Sequence, residues 1–206
     1  MKVLLINGSP NKKGCVYTAL SIIKEELEKN KVGADIFHVG AKPISGCTGC
    51  EACGRGGKCV IDDTVNECAA ILDDYDGFII GSPVHFAAAS GAATSFFDRL
   101  FYSNGTKLRL KPGAAIVSCR RGGATATFDQ LNKYFTYSQM PIISSSYWNE
   151  IHGDTPEEVM QDEEGIHTMR VLARNMAYQL KIQEAGAKAG IKKPELLPKV
   201  STNFIR

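Results

Sequence analysis

The chain has 206 residues, of which 44% are hydrophobic, 22% charged and 8% aromatic, with a formal net charge of +2. This length suits one domain with a substantial core, and the composition excludes disorder, collagen-like repeats and coiled coil. Near-neutral charge and a sequence pI of about 8.1 lack the basic excess of a nucleic-acid binder. Seven cysteines, a start that runs straight into Val3-Leu4-Leu5-Ile6 and no apolar stretch near the roughly 20 residues of a membrane span predict a cytoplasmic protein with no membrane partner.

Short apolar runs alternate with amphipathic segments, which is the pattern of βα units on a parallel sheet. Strands are expected at Lys2–Ile6, Asp35–Val39, Gly77–Ile80, Ala114–Ser118 and Ile142–Tyr147. Leu20, Ile23 and Leu27 recur at helical spacing before Gly33, so a surface helix joins the first two strands. Further helices are expected at Thr64–Leu72, Ser90–Phe101 and Thr125–Tyr137. Thr155-Pro156-Glu157-Glu158 supplies a cap, a first-turn proline and a capping-box glutamate for a helical region reaching toward Ala187. The expected fold is therefore α/β, a doubly wound five-stranded parallel sheet with helices on both faces. It forms a single domain over 1–206, with a Cys-rich insertion loop at 40–60 and a C-terminal arm at 190–206.

At the end of the first strand stands Asn7-Gly8-Ser9-Pro10-Asn11-Lys12-Lys13-Gly14-Cys15-Val16-Tyr17-Thr18. A strand, a polar glycine-bearing loop and a helix start make an anion site, because the first amides of the helix lack intrahelical partners and its dipole favours negative charge. Ser9, Asn11 and Thr18 add side-chain donors. With neither G-x-G-x-x-G nor a Walker pattern, a phosphate monoester fits better than a dinucleotide or a nucleoside triphosphate; the alternative is a plain turn in which Ser9 caps the helix. In a doubly wound sheet, ligands sit beyond the carboxyl ends of the strands. Two further loops end strands there, Gly81-Ser82-Pro83-Val84-His85-Phe86-Ala87-Ala88-Ala89-Ser90-Gly91 and Ser118-Cys119-Arg120-Arg121-Gly122-Gly123.

Cys47, Cys50, Cys53 and Cys59 follow C-x2-C-x2-C-x5-C, four thiols within thirteen residues. Thiolates so close repel one another unless a metal neutralises them. The compact run suits a 4Fe-4S cluster better than zinc, whose ligand pairs usually stand a dozen or more residues apart. Zinc in a structural site, or thiols acting as small apolar fillers, are the alternatives. Cys15, Cys68 and Cys119 read as buried packing residues.

Together, the Gly-Ser-Pro loop at 8–10, the Gly-Ser-Pro-Val loop at 81–84, Ser90-Gly91 with Phe97-Asp98-Arg99, and the cysteine cluster resemble the NADPH-dependent FMN reductase and iron-sulfur flavoprotein families of flavodoxin-like proteins. The resemblance implies that Ser9, Asn11, Gly14 and Thr18 surround an FMN phosphate. It implies that Pro83, Val84, His85 and Phe86 line the isoalloxazine, that Ser118, Arg120 and Gly122 cover its pyrimidine side, and that the four cysteines hold a cluster. Cys15-Val16 stands where relatives often carry Asn-Thr or Cys-Thr, so one hydroxyl of the phosphate loop is missing. Hydride transfer to a flavin requires no protein acid or base, so no catalytic proton donor is assigned; His85 is the one candidate, with packing as its alternative role. The implied activity is FMN-dependent NAD(P)H oxidation that passes electrons to a small-molecule or protein acceptor, in a homodimer or homotetramer. A non-enzymatic electron carrier or redox sensor is the competing reading.

Overall fold

In the computed structural model, which describes residues 1–56, 58–198 and 200–204, strand residues alternate between two hydrophobic layers. Gly57 of the insertion loop and Lys199, Ile205 and Arg206 of the arm lie outside the described residues. Strands β1 (Lys2–Asn7), β2 (Gly33–His38), β3 (Gly77–His85), β5 (Gly113–Cys119) and β6 (Glu150–His152) form a parallel sheet in the order β2-β1-β3-β5-β6. The two-residue β4 (Ala88–Ala89) folds back antiparallel on the end of β3. Val3 and Leu5 of β1, Ile79 of β3 and Ala114 and Ile116 of β5 face one layer. Leu4, Ile6, Phe78, Ile80, Ala115 and Val117 face the other. Burial on both faces is why these strands read as continuous apolar runs.

The first layer is closed by α1 (Cys15–Lys29), α6 (Pro156–Val159) and α7 (Glu163–Lys188), and the second by α3 (Thr64–Ile71), α4 (Gly91–Leu108) and α5 (Ala124–Tyr137). A single helical turn, α2 (Cys53–Gly56), lies inside the cysteine loop. The chain winds first to one side of β1 and then to the other, which creates a topological switch between β1 and β3 where loops part and a ligand can enter.

Two expectations need correction. The fifth strand is not Ile142–Tyr147. Ile142 makes only an isolated bridge to Gly113, the chain leaves the sheet through Ser144 to Trp148, and it rejoins at β6. Ser145 Oγ lies 2.6 Å from Asn149 Oδ1 and 2.7 Å from the Tyr147 carbonyl, either of which can take its single proton, so side-chain bonds replace the ladder in a serine-rich run. The helical region after Thr155 is also broken. Thr155 caps α6, and Asp162 then caps α7 separately through Gly165 N.

Candidate functional site

Three loops meet beyond the carboxyl ends of β1, β3 and β5. Gly8 N donates to the Gly81 carbonyl at 2.8 Å, and the Ser90 hydroxyl donates to the Gly8 carbonyl at 3.0 Å. Gly8 allows this approach, since a Cβ there would stand 2.7 Å from Gly81 O and 2.9 Å from Ala93 Cβ. Gly123 has φ +90, and a Cβ on it would meet Ala87 Cα at 2.9 Å and Val84 Cγ1 at 3.0 Å, so the third loop seats directly against the second.

The first loop is organised by its own polar groups. Asn7, fully buried, accepts from Ser9 N through Oδ1 at 3.0 Å and donates through Nδ2 to the Lys12 carbonyl at 3.3 Å. Ser9 Oγ accepts from Asn11 N at 3.1 Å, and His38 Nε2 lies 2.9 Å from the Ser9 carbonyl. The first turn of α1 begins at Gly14 with no side-chain cap, and that of α5 begins at Gly123 likewise. By contrast, Asp63, Ser90, Thr155 and Asp162 cap α3, α4, α6 and α7 with their side chains. Thus, among the described residues, the two long helices that open onto this rim, after β1 and β5, are the ones whose first amides remain available to an external acceptor. The positive end of each dipole points there too.

The sequence-derived residues fall around this rim unequally. Ser9 is buried, Asn11 is exposed and Gly14 is half-buried at the helix start. Thr18 turns its hydroxyl back to the Gly14 carbonyl at 3.3 Å. Pro83 and Val84 are half-buried, whereas His85 and Phe86 project into solvent at the tip of the β3–β4 hairpin. Arg120 and Gly122 are exposed, while Ser118 is buried and hydrogen-bonds Cys15. Asn7, His38, Ser82 and Ser90 complete the scaffold; the sequence placed Asn7, Ser82 and Ser90 in its loops and motifs without giving them a role, and did not single out His38. An asparagine that directly ends an apolar run is the available signal for the first of them. Burial pushes the Cys68 thiol up to about 12 and raises Cys119 as well. Both act as packing residues, while Cys15 is only partly buried.

The four motif cysteines line one pocket on the outer side of α4, together with Thr48, Ile61, Arg99 and Tyr102. Cys47 and Cys50 are exposed, and Cys53 and Cys59 are half-buried. No three His, Cys, Asp or Glu side chains among the described residues converge on a point where one ion would sit. A cubane spreads four thiolates over four irons, so its ligands stand further apart than those of a single ion. The donor set, four soft thiols on one concave wall, fits such a group in its chemistry. The glycine-capped rim likewise fits a phosphorylated planar ligand.

Strand order and helix disposition define a flavodoxin-like α/β protein, with the candidate rim at the switch point. The chain belongs to the NADPH-dependent FMN reductase family, whose model matches residues 1–154. An iron-sulfur flavoprotein of Methanocaldococcus jannaschii is 31% identical over 194 residues, covering 88% of this chain and 98% of that protein. An iron-sulfur flavoprotein of Archaeoglobus fulgidus is 30% identical over 190 residues, covering 85% and 94%. Among solved structures, RosB aligns with a TM-score of 0.70 at 12% identity over 100% of this chain and 92% of its own. A WrbA-like flavodoxin from Agrobacterium tumefaciens aligns with a TM-score of 0.63 at 14% identity over 88% and 98%. At those identities the two structures support the fold alone.

Proposed function

We propose that the protein is an FMN-dependent NAD(P)H oxidoreductase that delivers electrons to a small-molecule or protein acceptor by way of a 4Fe-4S cluster on Cys47, Cys50, Cys53 and Cys59. The observation that carries the flavin assignment is the joining of three loops at one rim with two helix N-termini left uncapped by side chains. Family membership over residues 1–154 supports the same ligand. Bound FMN would supply the chemistry itself, accepting hydride from the nicotinamide and releasing electrons onward.

In this reading the chain's own groups bind and orient. Gly14, the amides that follow it, Ser9 and Asn11 hold the phosphate. Thr18 contributes through the helix start it braces. Pro83, Val84, His85 and Phe86 border the ring on one side, with Ser118, Arg120 and Gly122 on the other. Arg120 places a cation where the reduced ring gathers negative charge. Support for the cluster comes from four thiols lining one pocket and from the names of the two archaeal relatives. The open rim and the exposed arm suit a homodimer or homotetramer.

The test is anaerobic purification followed by reconstitution with FMN, ferrous iron and sulfide, with the visible spectrum and NADH and NADPH oxidation measured against a quinone. Stoichiometric FMN and steady turnover are expected. A protein that binds no FMN overturns the reading, and one that binds FMN but never oxidises nicotinamide is a carrier instead. Ser9→Ala is expected to weaken FMN binding about fivefold through loss of one charge-assisted hydrogen bond, and an unchanged dissociation constant overturns the phosphate assignment.

A further inference from the structure

The four thiols differ in exposure. Cys47 and Cys50 are exposed on the loop, whereas the chain around Cys59 is bound from two sides. The buried Asn66 side chain donates through Nδ2 to the carbonyls of Cys59 at 3.0 Å and Ile61 at 3.1 Å. Arg99 of α4, whose side chain is 0% exposed, reaches the same stretch from below. Its Nη2 donates to the Ile61 carbonyl at 2.7 Å and to Asp63 Oδ1 at 2.9 Å. Its Nη1 donates to Asp63 Oδ2 at 2.6 Å and to the Ser45 carbonyl at 3.2 Å. Its Nε donates to Cys59 Sγ at 3.4 Å.

A guanidinium carries five N–H donors, and here each has an acceptor. Four go to oxygens and the fifth goes to sulfur. Ser45 precedes the first motif cysteine, and Ile61 and Asp63 follow the last, so one buried cation ties both feet of the cysteine loop together. Asp63 neutralises that cation and also caps α3 through Val65 N at 3.0 Å, which fixes the carboxylate in turn. A guanidinium is not deprotonated inside a protein, so the charge is permanent.

We propose that Arg99 is the positioning residue of the four-thiol site, pre-setting Cys59 as its fixed ligand and raising the reduction potential of the bound cluster through the Nε–H to Sγ hydrogen bond. This rests on the cluster reading given above. Reduction adds negative charge that spreads onto the ligand sulfurs, and a donor aimed at one of them stabilises the reduced form; hydrogen bonds to sulfur are among the recognised determinants of cluster potential.

The experiment uses the full chain, reconstituted anaerobically with FMN, ferrous iron and sulfide, with iron content and the cluster midpoint potential measured by a spectroscopically monitored redox titration. Arg99→Lys keeps the charge but not the fork, and is expected to lower the potential by an amount equivalent to about tenfold in the reduction equilibrium, roughly 59 mV for one electron. Asp63→Asn retains an oxygen for the α3 cap and leaves Arg99 uncompensated, so it is expected to shift the potential the opposite way. If Arg99→Lys does not fold, Asp63→Asn decides alone. Cluster-loaded variants whose potential equals that of the parent overturn the assignment to Arg99 while leaving the cluster reading intact. A parent protein that takes up no iron and sulfide removes both.

Discussion

At the tip of the β3–β4 hairpin two consecutive residues without glycine's freedom, Phe86 and Ala87, have φ values of 51 and 57. A two-residue turn of this kind favours Asn-Gly, because both central positions require positive φ. Phe86 is also fully exposed, at 106% of its reference area, so neither local preference nor the core explains its presence. An aromatic ring held in an unfavourable backbone region at the mouth of a site is best accounted for by what it stacks on. Phe86→Asn is therefore expected to leave stability unchanged or raise it by up to about 1 kcal/mol. The same change should weaken FMN affinity by about fivefold, or about 1 kcal/mol. Urea unfolding of the FMN-free protein and a flavin titration check the two halves, and a large loss of stability would assign Phe86 to the fold instead. Candidates such as Phe86, Ser9 and the four cysteines could be picked out from the sequence because their signal is local: loop chemistry next to an apolar run, or a tight spacing. Arg99 was legible only as part of a motif. Its partners Ser45 and Asp63 lie 54 and 36 residues away in the chain, and only folding brings them to one guanidinium.

Among the secondary elements, α1, α3, α4, α5 and four of the five parallel strands stand where the sequence placed them, the central strands because both their faces are buried and β2 through its half-buried alternation, whereas α6 and α7 were read as one helical region and α2 fell in a stretch read as irregular. Apolar periodicity failed at the sheet edge. There the Ile142–Tyr147 run has strand-like residues, but Gly113 N already donates to the Pro141 carbonyl at 2.9 Å and Asn149 Nδ2 takes the Ala115 carbonyl at 3.0 Å. Side chains and an isolated bridge thus do part of the work of a ladder, and the shortened edge strand offers little template for another chain. Helix pairing also depends on a polar contact that no periodicity reveals. Arg174 of α7 donates through Nε to the buried Glu26 of α1 at 2.6 Å, and this bond, chiefly, holds the Glu26 carboxyl below its ordinary value of 4.5. A carboxylate whose pKa falls on folding adds stability above the unfolded value and loses it as pH drops through the folded one. Since Arg174 is largely exposed, the contribution is screened, and Glu26→Gln is expected to cost only about 1 kcal/mol at pH 7. The gap between the parent and Glu26→Gln should then narrow as pH falls below 4.5. Denaturant midpoints of both proteins from pH 7 to the acid limit measure it, and a gap that stays constant would mean the glutamate acts by packing alone.

Taken as a whole molecule, the fold carries two chemically distinct surfaces on one helix. Ser90 at the start of α4 ties the loop rim together, while Arg99 further along the same helix carries the cysteine pocket. Nine residues at the helical rise separate them by about 13 Å. What lies beyond α7 belongs to neither surface. Among the described residues after Gly190 there is no helix or strand, and Ile191, Leu196, Leu197, Val200 and Phe204 are all exposed. Bonds to the body run from Ile191 N to the Gly186 carbonyl at 2.9 Å and from Arg109 to the carbonyls of Pro194 at 3.0 Å and Glu195 at 3.3 Å. Five large apolar side chains left in water by their own chain are a reason for association, because burying them against a second copy recovers the hydrophobic free energy that the single chain forgoes. Removal of residues 191–206 is accordingly expected to change the unfolding free energy of the domain by no more than about 0.5 kcal/mol, since these five apolar side chains are largely exposed. The same truncation should convert the proposed dimer or tetramer into smaller species. Sedimentation velocity over a concentration series distinguishes the outcomes. An assembly that survives truncation intact would place the subunit contacts on the folded body, and a truncated chain that no longer folds would make the arm part of the domain itself.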